Sequence, residues 1–299
     1  MRACTALAFA KLNLDLRVLG VRADGYHELH TVFQSIALAD RVTCRAIDGP
    51  LTLTADDPSV PTDSSNLAWK AAVAVWRAAG RPGVPEGVHI ALQKRIPSSA
   101  GLGGGSADAA VTTRLVSALW QVSLDPLQER RVLSSLGADV PFFAVGGTAV
   151  GSGRGEDLTP VVSPPPMWVV VAMPDFGVST AEAYRWFDEL APFGRADVVA
   201  SPPGSSSAEA WNGWLGRCRN DLQAPVVARH PRIGELVDHL TSAGATLAAM
   251  SGSGAAVFGL FPESSAASRA RSGLDGGGTR TWLTKTLGRE EAALAVELL

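Results

Sequence analysis

One segment, RIPSSAGLGGGSADAA from Arg95 to Ala110, constrains this chain more than any other. It crowds four glycines between Gly101 and Gly105, after a strand-like GVHIALQKRI and before an Ala-rich, helix-forming run. A strand that turns through glycine into a helix presents the unpaired N–H groups of the first helical turn and the positive end of the helix dipole. Glycine lets the backbone curl there and keeps side chains out of the way. The product is a cradle for phosphate. Three other readings compete. A Walker loop needs Lys ahead of Ser or Thr, and Gly105-Ser106-Ala107 has none. A dinucleotide fingerprint needs G-x-G-x-x-G in an opening βαβ unit, and the spacing here does not give it. A plain connector has little use for so many glycines, each costing roughly 0.5–1 kcal/mol relative to Ala.

Composition narrows the partners. The chain has 299 residues, 46% hydrophobic and 18% charged, with a net charge of -3. That length suggests two domains or one large one. Without a basic excess, a nucleic-acid partner is not expected. Apolar runs such as MWVVVAM are too short to span a bilayer, so no membrane partner is expected either. MRACTALAFA imitates a secretory leader but is shorter than one and runs into a strand pattern. Cys4, Cys44 and Cys218 stand far apart with no C-x-x-C, which suits reduced thiols and a cytoplasmic location. His27-Glu28-Leu29-His30 is not a zinc-protease motif, because Thr31 stands where the second His should be.

From Phe9 to Arg17 polar and apolar residues alternate, with Lys11, Asn13, Asp15 and Arg17 on one face. This predicts a strand with one face buried. Asp24-Gly25 predicts a turn, and TVFQSIAL and RVTCRAI two further strands. SSNLAWKAAVAVWRAAG predicts a helix capped by Ser65 and stopped by Gly80. PLQERRVLSSLG predicts another helix, and GGTAVGSGRGE a hairpin. Pro164-Pro165-Pro166 fits neither helix nor central strand and marks a junction between domains 1–163 and 164–299. Beyond it lie an exposed ASPPGSSSAEA loop, a helix in RIGELVDHLTSAGA, a tight MSGSG loop, a strand in AAVFGLF, and a helix-strand-helix end. The irregular mixture favours an α+β fold over a doubly wound sheet.

Pro97-Ser98-Ser99-Ala100-Gly101-Leu102-Gly103-Gly104-Gly105-Ser106-Ala107 resembles the phosphate loop of the GHMP kinases. AFAKLNLDLRV near the start and AAMSGSGAAVFGLF near the end resemble that family's first and third motifs, in order. The resemblance implies the GHMP kinase fold: a ribosomal protein S5 domain 2-like N-terminal domain and a ferredoxin-like C-terminal one, with the cleft between them. It implies ATP, with Mg²⁺ bridging its phosphates. ADGYHEL, SSNLAWKAA, GADVPFF and RNDLQAPV resemble the branch that phosphorylates the 2-hydroxyl of 4-diphosphocytidyl-2-C-methyl-D-erythritol. Ala23 and Ala255 depart from that branch where Pro is frequent, as does Ala107 where Ser is common. Another GHMP kinase with a different alcohol acceptor, or a nucleotide-binding regulator without catalysis, is the alternative.

The same resemblance assigns roles, each beside a plainer reading. Asp139, before Val140-Pro141, reads by spacing as a helix cap; the resemblance makes it the catalytic base. Lys11 reads as a solvated strand residue; the resemblance puts it beside Asp139, offsetting charge on the moving phosphoryl group. Asn13 becomes a substrate hydrogen bond rather than part of a polar network. Tyr26 and His27 become the cytosine pocket, with Tyr184 as the opposite stacking face and Thr180 nearby; Trp186 and Phe187 are rivals to Tyr184. Asn66 and Lys94 become adenosine-side contacts rather than a helix start and a strand-end charge. Ser106 meets phosphate or its metal, and no direct protein carboxylate ligand is expected. The expected assembly is a monomer or weak homodimer.

Overall fold

The computed structural model describes residues 2–190, 200–274, 278–293 and 297–298. The chain opens with two long strands, β1 (Ala3–Val21) and β2 (His27–Pro50), followed by β3 (Thr52–Ala55), α1 (Leu67–Ala78), β4 (Glu86–Gln93), α2 (Gly104–Trp120) and α3 (Pro126–Leu136). A short α4 (Phe142–Val145) leads into the hairpin β5 (Thr148–Ser152) and β6 (Asp157–Pro160). Then come β7 (Trp168–Met173), α5 (Thr180–Leu190), α6 (Ala208–Leu215), α7 (Gln223–Val227), α8 (Pro231–Ser242), β8 (Leu247–Met250), β9 (Val257–Phe261), α9 (Ser264–Ser272), β10 (Arg280–Lys285), α10 (Arg289–Ala292) and β11 (Glu297–Leu298). No helix among the described residues is long and apolar enough to cross a membrane.

The first sheet runs β11-β1-β2-β4-β3, with β5 also on β2 and β6 on β5. Its pairings are antiparallel except β3 with β4. Ala3 to Ala10, within the segment that imitates a leader sequence, form the start of β1, paired from Ala3 opposite Arg45. TVFQSIAL and RVTCRAI, expected as separate strands, are one continuous β2. Nothing between them turns the chain. The register against β1 slips instead, from Phe9 opposite Ala39 to Ala10 opposite Ile36, and the bulge absorbs the extra residues. The second sheet runs β10-β7-β9-β8, all antiparallel. Chain order 4-1-3-2 with helices between is the ferredoxin-like βαββαβ arrangement. The three prolines lie between the two sheets' strands, in a stretch without regular structure.

Two expectations fail locally. Asn66, not Ser65, caps α1: its Oδ1 accepts from Ala68 N at 2.8 Å, while the Ser65 hydroxyl donates to Asp63. The polar face of β1 is also not solvated, since Lys11, Asn13 and Asp15 are each at most 3% exposed. The apolar face, Ala10 to Val18, packs into a core shared with Val169 to Met173 of the second sheet. Lys11 and Asn13 of the polar face line the cleft described below.

The halves are also sewn by backbone hydrogen bonds. Leu16 N–H donates to Arg219 O, Asp221 N–H to Leu16 O, and Leu287 N–H to Ser35 O, each at 2.9 Å. Asn220 sits at this seam, 6% exposed. Its Nδ2 donates to Met250 O and Gly252 O, and its Oδ1 accepts from Leu222 N. Asn220→Leu strands these buried groups, and its urea denaturation should show a loss of roughly 2–4 kcal/mol. A loss under about 0.5 kcal/mol would mean that the seam does not depend on this amide.

Candidate active site

A cleft of roughly 1190 Å³ runs between the halves, and the glycine loop from Pro97 to Ser106 lines it. α2 starts at Gly104, inside the loop and ahead of the Ala run that announced it. Its N-cap is Gly103, left-handed at φ 73°, with no side chain to cap the first turn. Gly104, Gly105 and Ser106 line the cleft, and their N–H groups lack the usual Ser or Asp cap acceptor. Gly101 rests on the second glycine loop: a Cβ there would land on the Ser251 carbonyl oxygen. The Ser251 hydroxyl donates to Gly101 O at 3.0 Å, and Ala256 N–H donates to Ala100 O at 3.2 Å.

Lys11 lies beneath both loops. Its N–H donates to Leu102 O at 3.0 Å. Side chains at Gly103 or Gly252 would crowd it: a Cβ on the first comes 3.2 Å from Lys11 Cγ, and on the second 3.2 Å from Nζ. Nζ donates to Asn13 Oδ1 at 2.5 Å and lies 3.4 Å from Asp139 Oδ2. Asn13 in turn donates to Thr31 Oγ1, which donates to Asp15 O. Asp139 does not cap α4. The N-cap there is Pro141, and Phe142 N–H pairs with the Asp139 carbonyl instead. That leaves a carboxylate, 38% exposed, free in the cleft beside the ammonium group.

At the other end, β2 starts at His27 and α5 at Thr180. Tyr26 is 57% exposed, with the Arg154 guanidinium 5.0 Å from its ring centre. His27 stacks on Tyr184 at 4.7 Å, with the ring planes 24° apart. Burial pushes the Tyr184 phenol up, so it stays neutral. Of the three aromatic candidates on α5, Tyr184 lines the cleft. Trp186 is buried against His230 and Arg229, and Phe187 meets His27 only by an edge at 6.2 Å. The Thr180 hydroxyl reaches Ser253 Oγ at 3.0 Å, at the tip of the second glycine loop.

Three expected nucleotide contacts are otherwise engaged. Asn66 is spent on its cap and on Pro61 O. Ala107 is fully buried in the helical core and reaches the cleft with no side chain. Lys94 borders the cleft, but its ammonium pairs with Asp40 and, at 2.5 Å, with Asp108. Asp40 Oδ1 also accepts from Arg95 and Ile96 N–H, which fixes the strand entering the loop. The sequence reading missed Asp40 and Asp108, as it missed Thr31 and Ser253; only separation along the chain hid them.

Burial pushes the Asp108 carboxyl up to about 7, against the pull of Lys94. The folded state then binds this proton more tightly than the unfolded chain, where Asp titrates near 3.8. The group favours folding fully below pH ~4, and that contribution is lost as pH rises toward ~7. Asp108→Asn should remove this slope. Its urea midpoint should match wild type near pH 4 and exceed it near pH 8; parallel curves would count against the assignment.

Among the described residues no group of three or more His, Cys, Asp or Glu is placed to hold a metal ion. The site thus combines uncapped helix amides, a Lys–Asp pair and, farther along, stacked rings around a histidine. Amides of this kind hold phosphate, and a carboxylate beside a cation can take a proton from a hydroxyl while charge moves nearby.

Known proteins resemble this chain in sequence and fold. The profile of the GHMP kinases N terminal domain matches residues 66–147, and that of the GHMP kinases C terminal matches residues 207–278. A 4-diphosphocytidyl-2-C-methyl-D-erythritol kinase of Moorella thermoacetica is 42% identical over 96% of this chain and 100% of its own. One from Exiguobacterium sibiricum is 39% identical over 93% and 96%. A crystal structure of 4-(cytidine 5'-diphospho)-2C-methyl-D-erythritol kinase superposes with a TM-score of 0.78 at 36% identity, covering 95% of this chain and 99% of that one.

Proposed function

The chain belongs to the GHMP kinases, and from that premise we propose that it transfers the terminal phosphoryl group of ATP to the 2-hydroxyl of 4-diphosphocytidyl-2-C-methyl-D-erythritol. The observation that carries the reading is the Lys11–Asp139 contact of 3.4 Å, set beside the uncapped start of α2. The amides of Gly104, Gly105 and Ser106 hold the phosphates. Asp139 accepts the proton as the 2-oxygen attacks the terminal phosphorus and ADP departs. Lys11 offsets the charge that moves, and Asn13, braced by Thr31, aligns the acceptor. Tyr26 and His27 take the cytosine, with Tyr184 behind His27 and Thr180 on the adjoining wall. Phosphoryl transfer asks for positioning and electrostatics, and these groups supply both.

The residues fit Mg²⁺, which binds mainly through phosphate and water oxygens and needs few protein donors; Ser106 offers a hydroxyl at the end of the loop. When bound, the ion neutralises phosphate charge. The same reading places the reaction in the cytoplasm, catalysed by a monomer or weak homodimer.

A coupled ADP-release assay tests the acceptor. With the cytidine substrate ADP should appear, and with homoserine or mevalonate the rate should fall by at least about 10³-fold, because they leave the polar base pocket unmatched. Comparable rates with all three acceptors would point to a different alcohol. ATP binding without consumption of any acceptor would make the chain a regulator.

A further inference from the structure

His27 is held by more than stacking. Its Nε2 lies 2.8 Å from Asp188 Oδ1. Asp188 follows Tyr184 by one turn of α5, so ring and carboxylate share a helix face and grip the same imidazole. The grip reaches across the cleft, from the second half of the chain to the first residue of β2. The His27 side chain is 12% exposed, with Tyr184 stacked on it and the edge of Phe187 beside it. Its other ring nitrogen, Nδ1, has no hydrogen-bond partner among the described residues.

A carboxylate only accepts hydrogen bonds. Of the two neutral tautomers it therefore favours the one in which Nε2 carries the proton, and it also stops the ring from flipping. Nδ1 is left with a lone pair and no hydrogen. Cytosine presents an amino donor where uracil presents a carbonyl acceptor. A bare nitrogen can pair with the first and only repels the second.

We propose that Asp188 is a positioning residue for base selection: it fixes the His27 ring with Nδ1 as an acceptor, so that the pocket takes an amino-bearing pyrimidine and rejects a carbonyl-bearing one. This rests on the reading that His27 meets the nucleobase.

The test compares cytidine and uridine forms of the acceptor in turnover. The same ratio is read independently by calorimetric titration with cytidine and uridine 5′-diphosphate. Asp188→Ala should reduce the cytidine preference about tenfold or more, with KM for the cytidine acceptor rising more than kcat falls. Asp188→Asn can still accept from Nε2–H through its amide oxygen and should keep most of the preference. In a His27→Ala background, Asp188→Ala should change the preference no further, since the effect passes through the ring. The ¹⁵N resonances of His27 at mildly alkaline pH should show a protonated Nε2 and a bare Nδ1 in wild type and Asp188→Asn, and a tautomer mixture in Asp188→Ala. An unchanged preference in Asp188→Ala, in turnover and titration alike, overturns the proposal, and so does a tautomer mixture in the wild type. Wild-type protein that prefers cytidine 5′-diphosphate yet never releases ADP with the cytidine acceptor sinks the proposed reaction instead, and the titrated ratio still decides the role of Asp188.

Discussion

Asp139→Asn is expected to lower turnover by roughly 10²–10⁴-fold, the usual contribution of a positioned general base, while ATP still binds. The substitution keeps size and removes the proton acceptor. It also leaves the fold alone, because the Asp139 side chain caps nothing: α4 takes its N-terminus from Pro141 and the backbone. Asp139 is partly open to the cleft, and its nearest cation is Lys11. Coupled ADP release measures the loss, and a nucleotide titration on the same preparation checks binding. Equal rates in variant and wild type would take Asp139 out of the chemistry.

Gly101→Ala should be nearly as damaging, through geometry. Gly101 has φ 73°, a conformation that costs an L-residue roughly 1–2 kcal/mol. The added methyl would also meet the Ser251 carbonyl, which is backbone and cannot swing aside. Relief requires the phosphate loop and the second glycine loop to part. We expect ATP affinity to fall by about 10²-fold or more, with a lower melting temperature, since an ångström of misplacement at such a site is costly. Gly105→Ala is the matched control. Its Cβ would make only an ordinary 3.7 Å contact with Leu67, and its backbone is helical. It should retain wild-type stability, so a common loss of stability in both variants would remove the clash as the cause. Nucleotide titration and thermal melts distinguish the outcomes.

Local chemistry made much of this architecture readable in advance. Four glycines before an Ala-rich run located the loop and the helix, and PLQERRVLSSLG located α3, whose start the structure closes with a capping box between Asp125 and Gln128. The 4-1-3-2 order of the second sheet was legible only through family likeness, because strand spacing does not say which edges pair. Misreadings came where distant residues decide. Alternation in β1 looked half-solvated, since a polar row normally faces water; here Thr31, Asp139 and two glycine loops cover it. Lys94 was expected on the adenosine side, with a strand-end charge as the plainer reading, and neither foresaw its pairing with Asp40 and Asp108, which lie 54 and 14 residues away. Asp188 gave no signal at all, for a carboxylate on an amphipathic helix is ordinarily just solvated.

The core that joins Ala10–Val18 to the second sheet, with the backbone bonds around Leu16 and Asp221, makes the two halves poor interchangeable parts. A chimera that couples the first half of this chain to the second half of a distant relative would bring two sound lobes to a mismatched joint. The residues at that joint, far more than those touching either substrate, set which recombinations of this family can yield a working enzyme.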